Sequence, residues 1–131
     1  MNASHDTALR GLVPLAHVAD LKRSIEFYAR LGFRIAHRYE PEGQMRWAHL
    51  RSGNADLMLS LAAEPVNPAA QAVLFYLYVP RVAAFREQLA AQGIKVGELE
   101  YFFFAKDGEF RIVDPDGYVL LVGQADAQAM N

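Results

Sequence analysis

The chain has no cysteine among its 131 residues and only one tryptophan. Without thiols it can form neither a disulfide nor a thiolate metal site, and it has no cysteine nucleophile. The absence of cysteine fits a reducing compartment, so we expect the protein in the cytoplasm. No apolar run reaches the roughly 18 residues of a membrane-spanning helix. Residues 1–10 also lack the hydrophobic centre of a signal peptide.

Strong net charge is missing as well. The formal net charge is −2 and the isoelectric point is about 6.1, so no field attracts nucleic acid or an anionic membrane. We therefore expect neither as a partner. The length and the 53% share of hydrophobic residues predict one domain over residues 1–131.

The sequence contains a repeated pattern. Residues 12–18 are typical of a short strand, and Asp20 is a suitable N-cap for a helix with apolar residues at helical spacing. Gly32 is a suitable residue to end that helix. At an offset of 61 residues the same order returns, with a strand over 72–79, a second helix and Gly93 at its end.

Three strand candidates separated by turn signals follow each helix. The pattern predicts two βαβββ modules, residues 9–62 and 72–124, joined by a linker at 62–71 that contains two prolines. Each four-stranded sheet would have one face covered by its helix, while the other face, called here the open face, would need another cover. The predicted fold class is α+β.

The DPDG turn (residues 114–117) is explained by local turn chemistry alone. Pro115 presets φ, Asp114 can accept a hydrogen bond from the backbone two residues on, and Gly117 can adopt positive φ. The sequence therefore predicts a hairpin device at this place and no catalytic role for it.

Two strings in this tandem pattern, VADLKRSIEFYARLGF (18–33) and DPDGYVLLVGQ (114–124), resemble the vicinal oxygen chelate superfamily. Its members include glyoxalase I, extradiol dioxygenases, fosfomycin-resistance enzymes and bleomycin-resistance proteins. The resemblance covers residues 9–124 and implies a curved mixed sheet built from the two modules. It says little about activity, because one fold hosts several chemistries.

In the metalloenzymes of the family, ligands lie on the first and last strand of each module. The matching positions here are apolar: Val13, Leu74, Leu121 and either Met58 or Leu59. These side chains are unsuitable ligands for the family's metals. The resemblance thus implies no metal and no cofactor, and it favours the metal-free bleomycin-resistance branch. Those proteins are intertwined homodimers whose ligand grooves are built from both chains.

Strand alternation predicts which side chains lie on the open faces. With Phe103 added from the aromatic run Tyr101–Phe104, the predicted ligand-binding residues are His17, Trp47, His49, Met58, Tyr76, Tyr78, Phe103, Glu109, Arg111 and Leu121. The predicted site has an apolar base, aromatic sides and a few polar groups at its ends. Such a site suits a planar or amphipathic molecule.

Plainer interpretations remain open for these residues. Trp47 is as consistent with half-buried packing as with a stacking platform, and the two tyrosines with filling an interface. For Glu109 and Arg111 we expect a solvated ion pair. Residues 106–108 are predicted to form a loop after the aromatic run.

The function predicted from the sequence is a metal-independent homodimer that sequesters an aromatic or amphipathic small molecule, with antibiotics among the candidates. One alternative is a lyase, isomerase or dioxygenase of the same superfamily with a divergent metal site. Another is an interaction module that binds no ligand.

Overall fold

A computed structural model describes Thr7 and residues 9–125. Within these residues the chain forms eight strands and two α-helices: β1 Leu15–Val18, α1 Leu21–Arg30, β2 Arg34–Tyr39, β3 Trp47–Ser52, β4 Ala55–Leu61, β5 Leu74–Val79, α2 Val82–Ala91, β6 Glu100–Phe102, β7 Ala105–Val113 and β8 Val119–Gln124. None of the described helices is long and apolar enough to cross a membrane. Residues 1–6, which include His5, lie outside the described part of the chain.

The strands form two sheets of the same design. The first has the order β1-β4-β3-β2 and the second β5-β8-β7-β6. In each sheet the first strand of the module lies parallel to the last, and the remaining pairs are antiparallel. The predicted α+β class and the tandem βαβββ modules are confirmed.

Each helix covers one face of its own sheet. Asp20 caps α1, since its carboxylate accepts a hydrogen bond from the backbone N–H of Arg23 at 3.1 Å. Gly32 follows the helix with φ of +104°, a conformation that glycine adopts at little cost. Tyr28 of α1 is fully buried, as are Val18 and Leu59 of the first sheet. The cores under α1 and α2 belong to one continuous cluster of buried apolar residues.

The opposite faces of the two sheets remain open. Burial alternates along β5, where Leu74, Tyr76 and Tyr78 are 52%, 50% and 62% exposed while their neighbours are partly buried. Tyr39 and Val113 are also more than half exposed. Exposed apolar side chains on one face of a sheet are typical of an interaction or ligand-binding surface.

The DPDG turn does more than reverse the chain. Its internal bonds are those of a turn, with Asp114 Oδ1 accepting from the N–H of Asp116 and of Tyr118, both at 2.9 Å. Yet Asp116 Oδ1 accepts from the N–H of Ala19 at 2.9 Å, and its Oδ2 accepts from the hydroxyl of Ser24 at 3.2 Å. The interpretation as a hairpin device alone is wrong, because this turn also satisfies buried polar groups of the first module.

A second buried contact joins α1 to the same turn. The Tyr28 hydroxyl donates to Asp114 Oδ2 at 2.7 Å. Burial, followed by the nearby Asp114 charge, raises the pKa of Tyr28 far above its ordinary value, so the phenol stays a donor. Burial also raises the pKa of Asp114, although the bond from Tyr28 opposes that shift.

The hairpin of β6 and β7 differs from the sequence expectation. The predicted loop at 106–108 is wrong, because β7 begins at Ala105 and the turn lies at Phe103-Phe104. Gly108 is a distortion within the strand: its φ is +97°, and an added Cβ would lie 2.9 Å from Leu99. A glycine that reads as a turn signal can equally mark such a bulge.

Candidate functional site

The open face of the second sheet carries two aligned rows of side chains. Tyr76, Leu121 and Arg111 pair in register across β5, β8 and β7. In the adjacent row, Tyr78 and Glu109 lie on either side of Gly123. Five of the ten predicted ligand-binding residues therefore share one face of this sheet.

A cavity of about 610 Å³ lies beside the second row and is called here the aromatic cavity. Its walls include Tyr76, Tyr78, Phe103 and Phe104, and Glu109 lies among them. The two tyrosine rings are nearly parallel, with centroids 6.1 Å apart, and the two phenylalanine rings meet edge to face at 5.2 Å. An added Cβ on Gly123 would lie 3.7 Å from the Tyr78 ring, an ordinary van der Waals contact, so this ring lies over the glycine.

Glu109 is the unusual residue of this cavity. It is only 8% exposed, and its side chain makes no hydrogen bond or ion pair with any residue in the described part of the chain. No side-chain oxygen or nitrogen there is both fully buried and unpartnered, so the carboxylate oxygens keep some exposure to solvent. The expected solvated pair with Arg111 is wrong, because Glu109 is buried and Arg111 lies in the next row, opposite Leu121.

The other four predicted residues lie on the open face of the first sheet. His17 and Trp47 flank Ser60 in one row, and Met58 pairs with His49 in the next. The rings of Trp47 and His49 are 6.3 Å apart, and both side chains are partly buried. The tenth residue, Phe103, lies in the turn between β6 and β7 and lines the aromatic cavity with the second-sheet residues. The structure thus divides the ten residues into two groups, one at each sheet.

A second cavity, of about 740 Å³, lies between the modules. Tyr76 and Tyr78 border it from the second module, while Leu31 and Phe33 border it from the first. Strand β5 is the edge strand of its sheet, which explains how the same tyrosines line two cavities.

Asp56 is a polar group of the first open face that the sequence reading missed. Its Oδ1 is 2.8 Å from His49 Nε2 and accepts from Arg51 Nε at 2.9 Å. The bond from Arg51, followed by that from His49, lowers the pKa of Asp56. The signal was available: Asp56 is two residues before Met58, so alternation places both on one face.

We expect the carboxyl of Asp56 to titrate below the ordinary aspartate value of about 3.9. Because its folded pKa is lowered, its contribution to stability is present above the unfolded pKa and is lost as pH falls through the folded one. Carbon-detected NMR titration would show this. Arg51→Ala should raise the pKa more than His49→Ala, and an unchanged value in both variants would contradict the assignment.

The residues at the family's metal positions do not fit a metal. Val13, Leu74 and Leu121 offer no donor atom, and all three are partly or largely exposed. In the first module, Leu59 is fully buried in the core, which leaves Met58 as the open-face counterpart. Within Thr7 and residues 9–125, no group of three or more His, Asp or Glu side chains could hold a metal ion.

The fold and the sequence motifs together identify the family of this chain. The family model described as "Glyoxalase/Bleomycin resistance protein/Dioxygenase superfamily" matches residues 13–122. The chain therefore belongs to this superfamily, as the resemblance implied. A search among curated proteins finds no match.

Solved structures show the same fold. A bleomycin-binding protein complexed with bleomycin is 24% identical with a TM-score of 0.75, and the match covers 90% of this chain and 100% of that one. A bleomycin resistance determinant encoded on transposon Tn5 has the same identity, TM-score and coverage of this chain, and 99% of its own length is covered. An antibiotic-binding protein, TnmS3 from Streptomyces sp. CB03234, is 20% identical with a TM-score of 0.70, covering 92% of this chain and 98% of that one.

Proposed function

We propose that this protein is a metal-independent binder of a small aromatic or amphipathic molecule, with antibiotics among the candidates. The main support for this proposal is the pair of open sheet faces, which present aromatic rings around a few polar groups. The bleomycin complex of a structurally similar protein supports this assignment. The whole chain, residues 1–131, acts as one domain in this proposal, in the cytoplasm.

The ligand groove, in this proposal, forms between two copies of the chain. Each helix packs mainly on strands of its own module, and Leu74, Tyr76 and Tyr78 remain at least half exposed in one chain. An intertwined homodimer would place the first open face, with Trp47 and His49, opposite the second open face of its partner. Burial of these apolar side chains would then drive both dimerisation and ligand binding.

Dimerisation is tested by the mass in solution. We expect light scattering to give twice the 14.6 kDa of one chain. Leu74→Arg should shift the protein toward monomer, because it places a charge on the proposed interface. Ala83→Arg, on the exposed surface of α2, is the matched control and should stay dimeric. A monomeric native protein would contradict the shared groove.

Ligand binding is tested by a thermal-shift screen of planar antibiotics. At a hundredfold excess over Kd, a ligand should stabilise the native state by about 2.7 kcal/mol. Because Trp47 is the only tryptophan, its emission should change on titration with the hits. Hits that leave this emission unchanged would count against Trp47 as a groove residue. Absence of any stabilising compound would favour the interaction module, and stoichiometric nickel, iron or zinc in the purified protein would contradict metal independence.

One observation favours an enzymatic alternative. His49 is hydrogen-bonded to Asp56, an arrangement that can orient an imidazole as a general base. This alternative predicts that a compound from the screen is converted to a product when incubated with the protein. His49→Ala should then abolish conversion, whereas under the binding proposal the compound is recovered unchanged.

A further inference from the structure

We propose that the aromatic cavity of the second sheet is the subsite for a cationic group of the ligand, with Glu109 as its counter-charge. This inference rests on the proposed function, since it assigns one end of the ligand groove. The chemical class is a planar aromatic cation, such as a ring bearing a quaternary nitrogen.

The side chain of Glu109 is nearly buried. A carboxylate removed from water is costly unless a positive charge or hydrogen bonds compensate it. In the described residues nothing donates to the side chain of Glu109, although the residue is only 8% exposed. Its carboxylate oxygens are not fully buried, and the residue lines the aromatic cavity. A cation bound in that cavity would supply the missing partner.

Four aromatic side chains line the aromatic cavity. Tyr76 and Tyr78 present nearly parallel rings, and Phe103 and Phe104 present two more at right angles to each other. Ring faces attract cations through their quadrupole, by about 2 kcal/mol when the cation is desolvated. Several aromatic rings with a single carboxylate suit an organic cation, whereas a metal ion requires several convergent ligands.

Other charged side chains also lie at or near the aromatic cavity. Lys106 and Asp107 lie exposed among the lining residues and carry opposite charges. Arg111 shares the open face with Glu109 but forms no ion pair with it, and it lies in the row of Tyr76 and Leu121. The positive charge of Arg111 would repel a cation placed in the row of Tyr76 and Leu121. The ligand's cationic end is therefore directed to Glu109, and its uncharged part toward Leu121.

The test compares two probes of the same shape. N-methylacridinium carries a positive charge, and 9-methylacridine is its neutral counterpart at pH 8. We expect the native protein to bind the cation about tenfold more tightly by calorimetry. Glu109→Gln should remove this preference by weakening cation binding about tenfold while leaving the neutral probe within about twofold.

Glu87→Gln is the matched control, because it makes the same change at an exposed position of α2 and should leave both affinities unaltered. Tyr78→Leu provides a second variant, which keeps an apolar wall but removes one ring and should also reduce the preference. The comparison of probes on the native protein holds even if a variant fails to fold.

Two results would overturn the inference. Equal affinity of the native protein for both probes, with no effect of Glu109→Gln, would remove the cation subsite and leave the binding function standing. Failure of the native protein to bind either probe would count against the subsite and against planar aromatic binding together.

Discussion

Replacing Asp116 by alanine should lower the free energy of unfolding by about 3–5 kcal/mol, because hydrogen bonds to a charged group contribute about 1.5–3 kcal/mol each. Asp116 is 2% exposed and accepts from the N–H of Ala19 and the hydroxyl of Ser24. The alanine variant would leave the buried Ser24 hydroxyl without this acceptor. The contact with Arg23, at 3.7 Å, adds little because that side chain is half exposed.

Urea denaturation of the native protein and the variant, followed by far-UV circular dichroism, measures this loss. Asp107→Ala, at an exposed position of β7, serves as the control and should change stability by less than about 0.5 kcal/mol. Asp116→Asn should lose less than the alanine variant, because an amide oxygen can still accept from Ala19. A loss below about 1 kcal/mol in Asp116→Ala would contradict the bridging role.

Gly117→Ala should lower the free energy of unfolding by about 3 kcal/mol or more, which is the second large effect expected. Gly117 has φ of +88°, which costs an L-residue about 1–2 kcal/mol. An added Cβ would also lie 2.5 Å from Pro68 Cβ and 2.6 Å from Pro68 Cα. Because backbone atoms of the linker are involved, rotation of a side chain cannot relieve the clash, and either the linker or the turn must move.

Gly93→Ala separates the two causes. Gly93 has a similar φ of +84°, but an added Cβ would meet nothing within 4 Å. Its loss should therefore be limited to the conformational cost of about 1–2 kcal/mol. Thermal unfolding of both variants at equal protein concentration makes the comparison. Equal losses would show that Pro68 yields freely and that the linker is not fixed against the turn.

The tandem fold could be predicted from the sequence because its signals are local. Asp20 caps a helix by bonding three residues on, and Gly32 and Gly93 end helices at the same offset in both modules. Alternation then placed Tyr76 and Leu121 on one face, which the register of β5 and β8 bears out. None of these features needs knowledge of a distant contact.

The predictions that failed depend on distant contacts. Glu109 is only 8% exposed, and a pattern of period two cannot report how far neighbouring residues cover a side chain. The second role of Asp116 requires helix α1 to lie against the turn, 97 positions away from Ala19. Gly108 was interpreted as a loop signal, whereas it lies within β7, where an added Cβ would lie 2.9 Å from Leu99.

The bond between Asp116 and the first module has a consequence for synthesis of the chain. The hydroxyl of Ser24 and the N–H of Ala19 find their acceptor 92 and 97 residues later, and the Tyr118 hydroxyl reaches back 101 residues to the carbonyl of His17. Chains emerge from the ribosome N-terminus first. The N-terminal half therefore cannot complete its native hydrogen bonds while it is being made, and its final folding is coupled to the arrival of the last hairpin.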